Sequence, residues 1–308
     1  MRLDRRGVLP RITAVALATS ALAACGSTAP TPIYTTAAHP AKGKIVIGID
    51  LTEPGLGYKS GDTYSGFDVD TARYVAHSLG YPEQSIVWKP VVPGDRETLL
   101  RTHRVDLIFA TYSITPARAK LVDFAGPYFV AHQGLLIRRN DDARAVGSIG
   151  ALAGHGAMRP ITGLATLNGK RLCTGKGTTS AQRILERYRA EKITLLELPD
   201  INDCVEALYD GEVDAVTTDD VILAGFAARG KYNGVLKVLR TTFSNERYGV
   251  GIPKGDTKLV TDVNAALRKY IADGSWKRSL ERNIAPSGYS LAAPPSPGTS
   301  DVVNVESP

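Results

Sequence analysis

The chain is poor in the residues that staple, ligate or catalyse. Among 308 residues there are 3 cysteines, 2 methionines, 2 tryptophans and 5 histidines. So few cysteines exclude a disulfide-dense scaffold. The histidines (His39, His77, His103, His132 and His155) lack metal-ligand spacing, which predicts surface or packed roles for them. No G-x-S-x-G elbow, H-E-x-x-H helix, Walker loop or dinucleotide fingerprint occurs. The expectation is a protein that binds rather than transforms, with no cofactor and no metal. The pairs Asp68/Asp70 and Asp219/Asp220 add little, because such pairs arise by chance among 31 acids. Beyond the first thirty residues no run of ~20 apolar residues occurs, which excludes a polytopic membrane protein. What is present, 43% hydrophobic and 22% charged residues, is ordinary globular composition. The length suggests about two domains of ~100–200 residues each.

The first segment reads as an address. Arg2, Arg5, Arg6 and Arg11 precede a short apolar run from Ile12 to Ala18, and Leu22-Ala23-Ala24-Cys25 follows. A basic start, a short apolar middle and small residues at the cut site make a secretory signal. The Cys after Leu-Ala-Ala resembles the lipobox of bacterial lipoproteins, which implies cleavage after residue 24 and diacylation of Cys25 by palmitate-type chains. Arg5-Arg6 loosely resembles a twin-arginine signal, but arginine pairs are common there and the export route stays open. Losing residues 1–24 removes four arginines and one aspartate, so the formal charge falls from +6 to +3. Most of the nucleic-acid signal goes with it. Residues 25–43, rich in Thr, Ala and Pro, are expected to form a lipidated, extended tether. The expected location is the cell envelope, anchored to the outer face of the cytoplasmic membrane. In such an oxidising compartment Cys173 and Cys204 could form a disulfide, or both could be buried thiols.

Past residue 43 the pattern alternates β-rich runs with helical stretches, an α/β signature. Strands are expected at 44–49, 85–88, 105–110, 134–137, 170–173, 193–198, 214–217 and 248–252. Helices are expected at 67–79, 96–103, 179–189, 203–209, after 217 through Phe226, and 258–272. A tail from 286 to 308 is expected to be disordered. Val105-Asp106-Leu107-Ile108 and Val213-Asp214-Ala215-Val216 echo one another, as two similar α/β lobes would.

Three polar segments lie at strand ends, where α/β folds place ligands. Thr111 to Arg118 follows a strand; Thr115 can cap a helix opening at Pro116, with Arg118 in its first turn. Gly175-Lys176-Gly177-Thr178-Thr179-Ser180 opens a second helix, whose free N–H groups suit an anion. Asp219 ends a strand and could receive an ammonium group. Two carboxylate receptors and one ammonium receptor describe a zwitterion site, although capped helices need no ligand.

These residues resemble the polar amino-acid-binding family of bacterial extracellular solute-binding proteins (family 3, the glutamate/aspartate/glutamine-binding type). The matching motifs run from about residue 44 to 283. They include Gly66-Phe67-Asp68-Val69-Asp70, Thr115-Pro116-Ala117-Arg118, Asp123-Phe124-Ala125-Gly126-Pro127-Tyr128, Gly177-Thr178-Thr179-Ser180 and Tyr248-Gly249-Val250. The resemblance implies an α/β, two-lobe periplasmic-binding type II (Venus-flytrap) fold with two hinge strands, at 134–138 and 248–252. Lobe 1 would span 41–133 and 246–285, lobe 2 134–245.

Carried over by motif, Arg118 would hold an α-carboxylate with Ser113, Thr115 and the backbone at Thr178 and Thr179. Asp219 would take the α-ammonium, Asp50 would face the cleft, and Tyr128 is a structural element. Where many members carry an aromatic that stacks on the ligand, this chain has Glu53-Pro54-Gly55-Leu56, which weakens the case for large aromatic or cationic ligand side chains. Pro93-Gly94-Asp95-Arg96 resembles the Asp/Glu-binding branch, in which an Arg reaches the side-chain carboxylate; Arg96 could instead sit on an outer helix face. Lys176 is a possible further cation. The implied ligand is L-glutamate or L-aspartate, with glutamine and asparagine weaker. The implied partner is an ABC-transporter permease or, alternatively, a membrane sensor protein, and no nucleic acid. A dehydratase-like enzyme on this fold lacks a recognisable acid–base pair here.

Overall fold

A computed structural model describes residues 43–139, 160–187, 192–290 and 293–298. The signal segment, Cys25 and the tether up to residue 42 lie outside the described residues.

The first sheet begins with β1 (Ile45–Ile49), whose alternate residues Ile45, Ile47 and Ile49 are buried. A small antiparallel meander follows: β2 (Thr52–Glu53), β3 (Gly57–Ser60) and β4 (Thr63–Ser65). Helix α1 (Phe67–Ser78) then leads to β5 (Ile86–Pro90), α2 (Arg96–Arg101), β6 (Leu107–Phe109), α3 (Pro116–Ala119) and β7 (Asp123–Ala131). The second sheet takes β8 (Gln133–Arg138), β9 (Arg171–Gly175), α4 (Thr179–Arg187), β10 (Thr194–Leu198), α5 (Ile201–Tyr209), β11 (Ala215–Asp219), α6 (Asp220–Ala227) and β12 (Leu236–Val238). The chain returns through β13 (Glu246–Ile252) and closes with α7 (Thr257–Ala272) and α8 (Ser275–Asn283).

Strand order is β5-β1-β6-β13-β7 in one sheet and β10-β9-β11-β8-β12 in the other. In each, three parallel strands are joined by helical crossovers, a fourth (β13 or β8) runs the other way, and the edge strand beyond it (β7 or β12) is antiparallel to that fourth. Each sheet with its helices makes one lobe. The echo seen in the sequence has a shared structural basis. Asp106 Oδ2 accepts from Val46 N at 2.7 Å, and Asp214 Oδ2 accepts from Arg171 N at 2.8 Å. In both lobes an Asp before one strand thus satisfies a backbone donor of its parallel neighbour.

The strands 134–138 and 248–252, expected to cross between lobes, each lie within one sheet. The chain passes from one sheet to the other at His132 and again through residues 239–245. Strand β7, with its cis Gly126–Pro127 peptide, and helix α8 were not anticipated from the pattern. Helix α8 is held by Trp276, whose ring meets Phe67 and whose Nε1 donates to Tyr128 O at 2.8 Å. The aspartates of Gly66-Phe67-Asp68-Val69-Asp70 divide their labour. Asp70 faces α8, accepting from Ser279, Arg282 and Asn283 at 2.6 Å each. Asp68 braces β6 and β7, accepting from Thr111 N and Tyr128 Oη at 2.9 Å each.

Cys173 in β9 and Cys204 in α5 form a disulfide, which decides between the two readings of the pair. The disorder expected from residue 286 does not hold for its described parts. Ala285–Ser287 forms a 3-10 turn and Tyr289 Oη donates to Asp220 Oδ1 at 3.1 Å. Further on, Gly298 N donates to Gly126 O at 2.8 Å and Pro297 is buried, so backbone pairing offsets the shortage of apolar side chains.

Candidate functional site

Between the lobes, at the C-terminal ends of the parallel strands, lies a narrow cavity. Lobe 1 contributes Glu53, Pro93, Arg96, Thr111, Ser113 and Arg118. Lobe 2 contributes Thr178, Thr179, Ser180, Ile201, Thr218, Asp219 and Ile222.

The two arginines are placed by short helices. Thr115 caps α3, its Oγ1 accepting from Arg118 N at 3.2 Å, as the Thr-Pro pattern predicts. The Arg118 guanidinium then donates to Ser113 O at 2.8 Å and, across the cleft, to Gly177 O at 3.0 Å. Its Nε lies 3.3 Å from Glu97 Oε1. Arg96 opens α2 and is only 3% exposed, so it does not sit on an outer face. It donates from Nε to Pro93 O at 3.1 Å and from Nη1 to Ala110 O at 2.8 Å. Among the described residues no carboxylate lies within ion-pair distance of it. Both guanidinium groups stack on one ring, with Tyr112 at 4.6 Å from Arg96 and 4.9 Å from Arg118. Burial, then the neighbouring Arg96, lowers Arg118 to about 10. It therefore stays charged at neutral pH.

The acids come from both lobes. Asp219 ends β11, 5% exposed, and accepts from Tyr248 Oη at 2.6 Å. Burial and then the nearby Glu246 push its carboxyl well above the usual range, against the Tyr248 hydrogen bond. Asp50 follows β1 and accepts from Thr52 N and Oγ1 at 3.0 and 2.8 Å. It stands behind the cavity rather than in its lining, raised by burial to about 6. Glu53, absent from the residues expected to bind, lines the cavity at 2% exposure. Among the described residues its Oε2 has no hydrogen-bond partner, and its Oε1 receives only a long contact from Thr111 Oγ1 at 3.4 Å. Burial and then Asp50 push Glu53 well above the carboxylate range.

Thr178 caps α4, its Oγ1 accepting from Ala181 N at 3.1 Å. Thr179 Oγ1 donates to Glu246 Oε2 at 2.9 Å and accepts from Gln133 Nε2 at 3.1 Å, so its hydroxyl is already engaged. Thus Arg96, Ser113, Arg118, Thr178, Thr179 and Asp219 converge on one cavity, with Asp50 and Thr115 supporting them. Lys176 does not join them. It is exposed, and its carbonyl rather than its side chain approaches Gly94 of the other lobe. The one sequence signal for Glu53 was that it departs from an aromatic position; a single acid in a turn-rich stretch carries no periodicity.

Two paired α/β lobes around a buried, mixed-charge cavity define a class of hinged small-molecule binders. The family model of bacterial extracellular solute-binding proteins, family 3, matches residues 45–285, and the chain belongs to that family. It is 38% identical over 253 residues to the glutamate-binding protein GluB of Corynebacterium efficiens, covering 79% of each chain. To the ABC transporter glutamine-binding protein GlnH of Bacillus subtilis it is 32% identical over 243 residues, covering 78% of this chain and 81% of that one. Among solved structures, the solute receptor for L-cysteine of Neisseria gonorrhoeae superposes with a TM-score of 0.71 at 27% identity, over 83% of this chain and 96% of that one. An ancestral arginine-binding protein bound to arginine gives 0.67 at 27%, over 79% and 99%.

Proposed function

We propose that this protein is an extracytoplasmic amino-acid-binding protein that captures L-glutamate or L-aspartate, with the amides weaker, and delivers it to an ABC importer. Cys25 carries the lipid anchor after removal of residues 1–24, and the membrane permease is the partner. The observation that carries the ligand assignment is the pair of buried guanidinium groups, Arg96 and Arg118, lining one cavity and stacked on one ring. Two adjacent buried cations are costly unless anions meet them. Glu97 meets Arg118 on one side; a ligand with two carboxylates supplies the remaining anions, and Asp219 takes its ammonium. In this reading Arg118 holds the α-carboxylate beside the backbone of Thr178 and Thr179, and Arg96 reaches the side-chain carboxylate. The likeness to glutamate- and glutamine-binding proteins supports the same class.

Calorimetric titration with the twenty amino acids tests it. Tight glutamate or aspartate binding, weaker amide binding and none by lysine or arginine is the expected result. Tight binding of a cationic amino acid would overturn the side-chain assignment. Metabolic labelling with a palmitate analogue, lost in Cys25→Ser, tests the anchor.

A further inference from the structure

We propose that Glu53 reads the ligand's side chain, donating a hydrogen bond to a side-chain carboxylate when protonated and accepting one from a side-chain amide when ionised. The inference rests on the amino-acid-binding reading above and deepens it: Glu53, with Arg96, sets the preference between acid and amide.

Each neighbouring acid has its own donor. Asp50 is served by Thr52, Asp68 by Thr111 N and Tyr128, and Asp219 by Tyr248. Glu53 is the exception, a carboxylate almost wholly buried with Oε2 unpaired in the cavity wall among the described residues. A buried polar oxygen left without a partner costs about 1–3 kcal/mol, more when charged. The ligand is the missing partner.

The charged and titratable groups around Glu53 decide its form. Asp50 beyond β1, Asp68 in α1 and Asp219 at the end of β11 all disfavour a further negative charge, and Arg96 at the start of α2 opposes them. The hydroxyls of Tyr128 in β7 and Tyr248 in β13, bonded to Asp68 and Asp219, also feel its charge and are themselves pushed upward, first by burial. Closing the cleft over a ligand carboxylate adds one more anion to this group, so Glu53 is held protonated toward the ligand oxygen, taking a proton from solvent wherever the free protein has it ionised. An amide ligand can instead give an N–H to ionised Glu53, and no proton is needed.

The test is calorimetry of the protein with glutamate and with glutamine, in two buffers of different ionisation enthalpy, from pH 6 to 8.5. Glutamate binding should take up about one proton more than glutamine binding, and where it does so its Kd should rise by about tenfold per pH unit. In Glu53→Gln the extra proton and the slope should vanish, because the amide donates at every pH. Equal proton counts for the two ligands in the wild type overturn the inference and leave the amino-acid-binding reading standing; this comparison needs no variant. A pH slope retained in a folded Glu53→Gln protein overturns it as well. Failure of the wild type to bind either ligand, or tight arginine binding in their place, overturns the reading and the inference together.

Discussion

At the scale of single residues, the site is a set of charges held by backbone groups. Arg118 touches Ser113 and Gly177 through their carbonyls, so its position does not depend on one side-chain partner. Arg118→Ala should cost about 2–5 kcal/mol in ligand binding, or roughly 30- to 5,000-fold in Kd, read by calorimetry, with the thermal melt little changed. Arg96→Ala should erase the preference for acid over amide while glutamine still binds; an unchanged Glu/Gln ratio would remove Arg96 from the side-chain subsite. Asp68 gives a prediction about pH. Burial raises it to about 6 in the folded chain, against roughly 4 when unfolded. The folded state binds more protons between those values, so this group's contribution is complete below about 4 and is lost as pH rises through about 6. Asp68→Asn does not titrate. Relative to wild type it should therefore gain about 2 kcal/mol in urea unfolding between pH 4 and pH 7; a pH-independent difference would contradict the shift.

Those residues were unequally legible. Arg118 could be read because Thr-Pro-x-Arg after a strand has one simple local structure, a capped turn with the Arg in its first turn. Arg96 was visible only through resemblance, since a short helix can turn an Arg either way. Glu53 left no pattern at all: its importance comes from burial against residues from α1, α2 and β11, a property of packing and not of sequence neighbourhood.

At the scale of elements, alternation of apolar strands and amphipathic helices was readable wherever the runs were dense, as in β1, β6 and α7. It failed where the pattern was sparse or interrupted. Strand β7 contains Gly126 and Pro127, residues that argue against a strand, yet it pairs with β13 along most of its length. Helix α8 offers only Trp276 and Leu280 as buried apolar residues, too few to announce it. The Cys173–Cys204 bond is likewise a tertiary fact, tying β9 to α5 across a separation of 31 residues. A loop of that length suggests about 3–4 kcal/mol of stabilisation. The double Cys→Ala variant should unfold at correspondingly lower denaturant while glutamate binding survives below the transition. Loss of binding with no change in the unfolding midpoint would mean that the bond shapes the cleft instead.

At the scale of the whole described body, the lobes meet through glycine. A Cβ on Gly225 of α6 would lie 2.2 Å from Pro54 O, and one on Gly177 would lie 2.8 Å from Gly94 Cα. Neither approach tolerates a methyl group without displacement. Gly225→Ala should hold the lobes apart at a cost of about 1–3 kcal/mol, weakening ligand binding about 5- to 150-fold. Solution scattering should show a more open form with ligand present, and each lobe should stay folded. Unchanged affinity would show that full closure is not needed for binding.

The carboxy-terminal segment adds a practical corollary. Tyr289 reaches Asp220, which also accepts from His132 N at the passage between sheets, and Gly298 is tied back to Gly126 in the first lobe. A fluorophore or partner domain fused shortly after this anchored stretch would ride beside the pivot instead of swinging on a slack leash. Its signal would then follow rotation of the lobes, making this end of the molecule the natural mount for an optical biosensor.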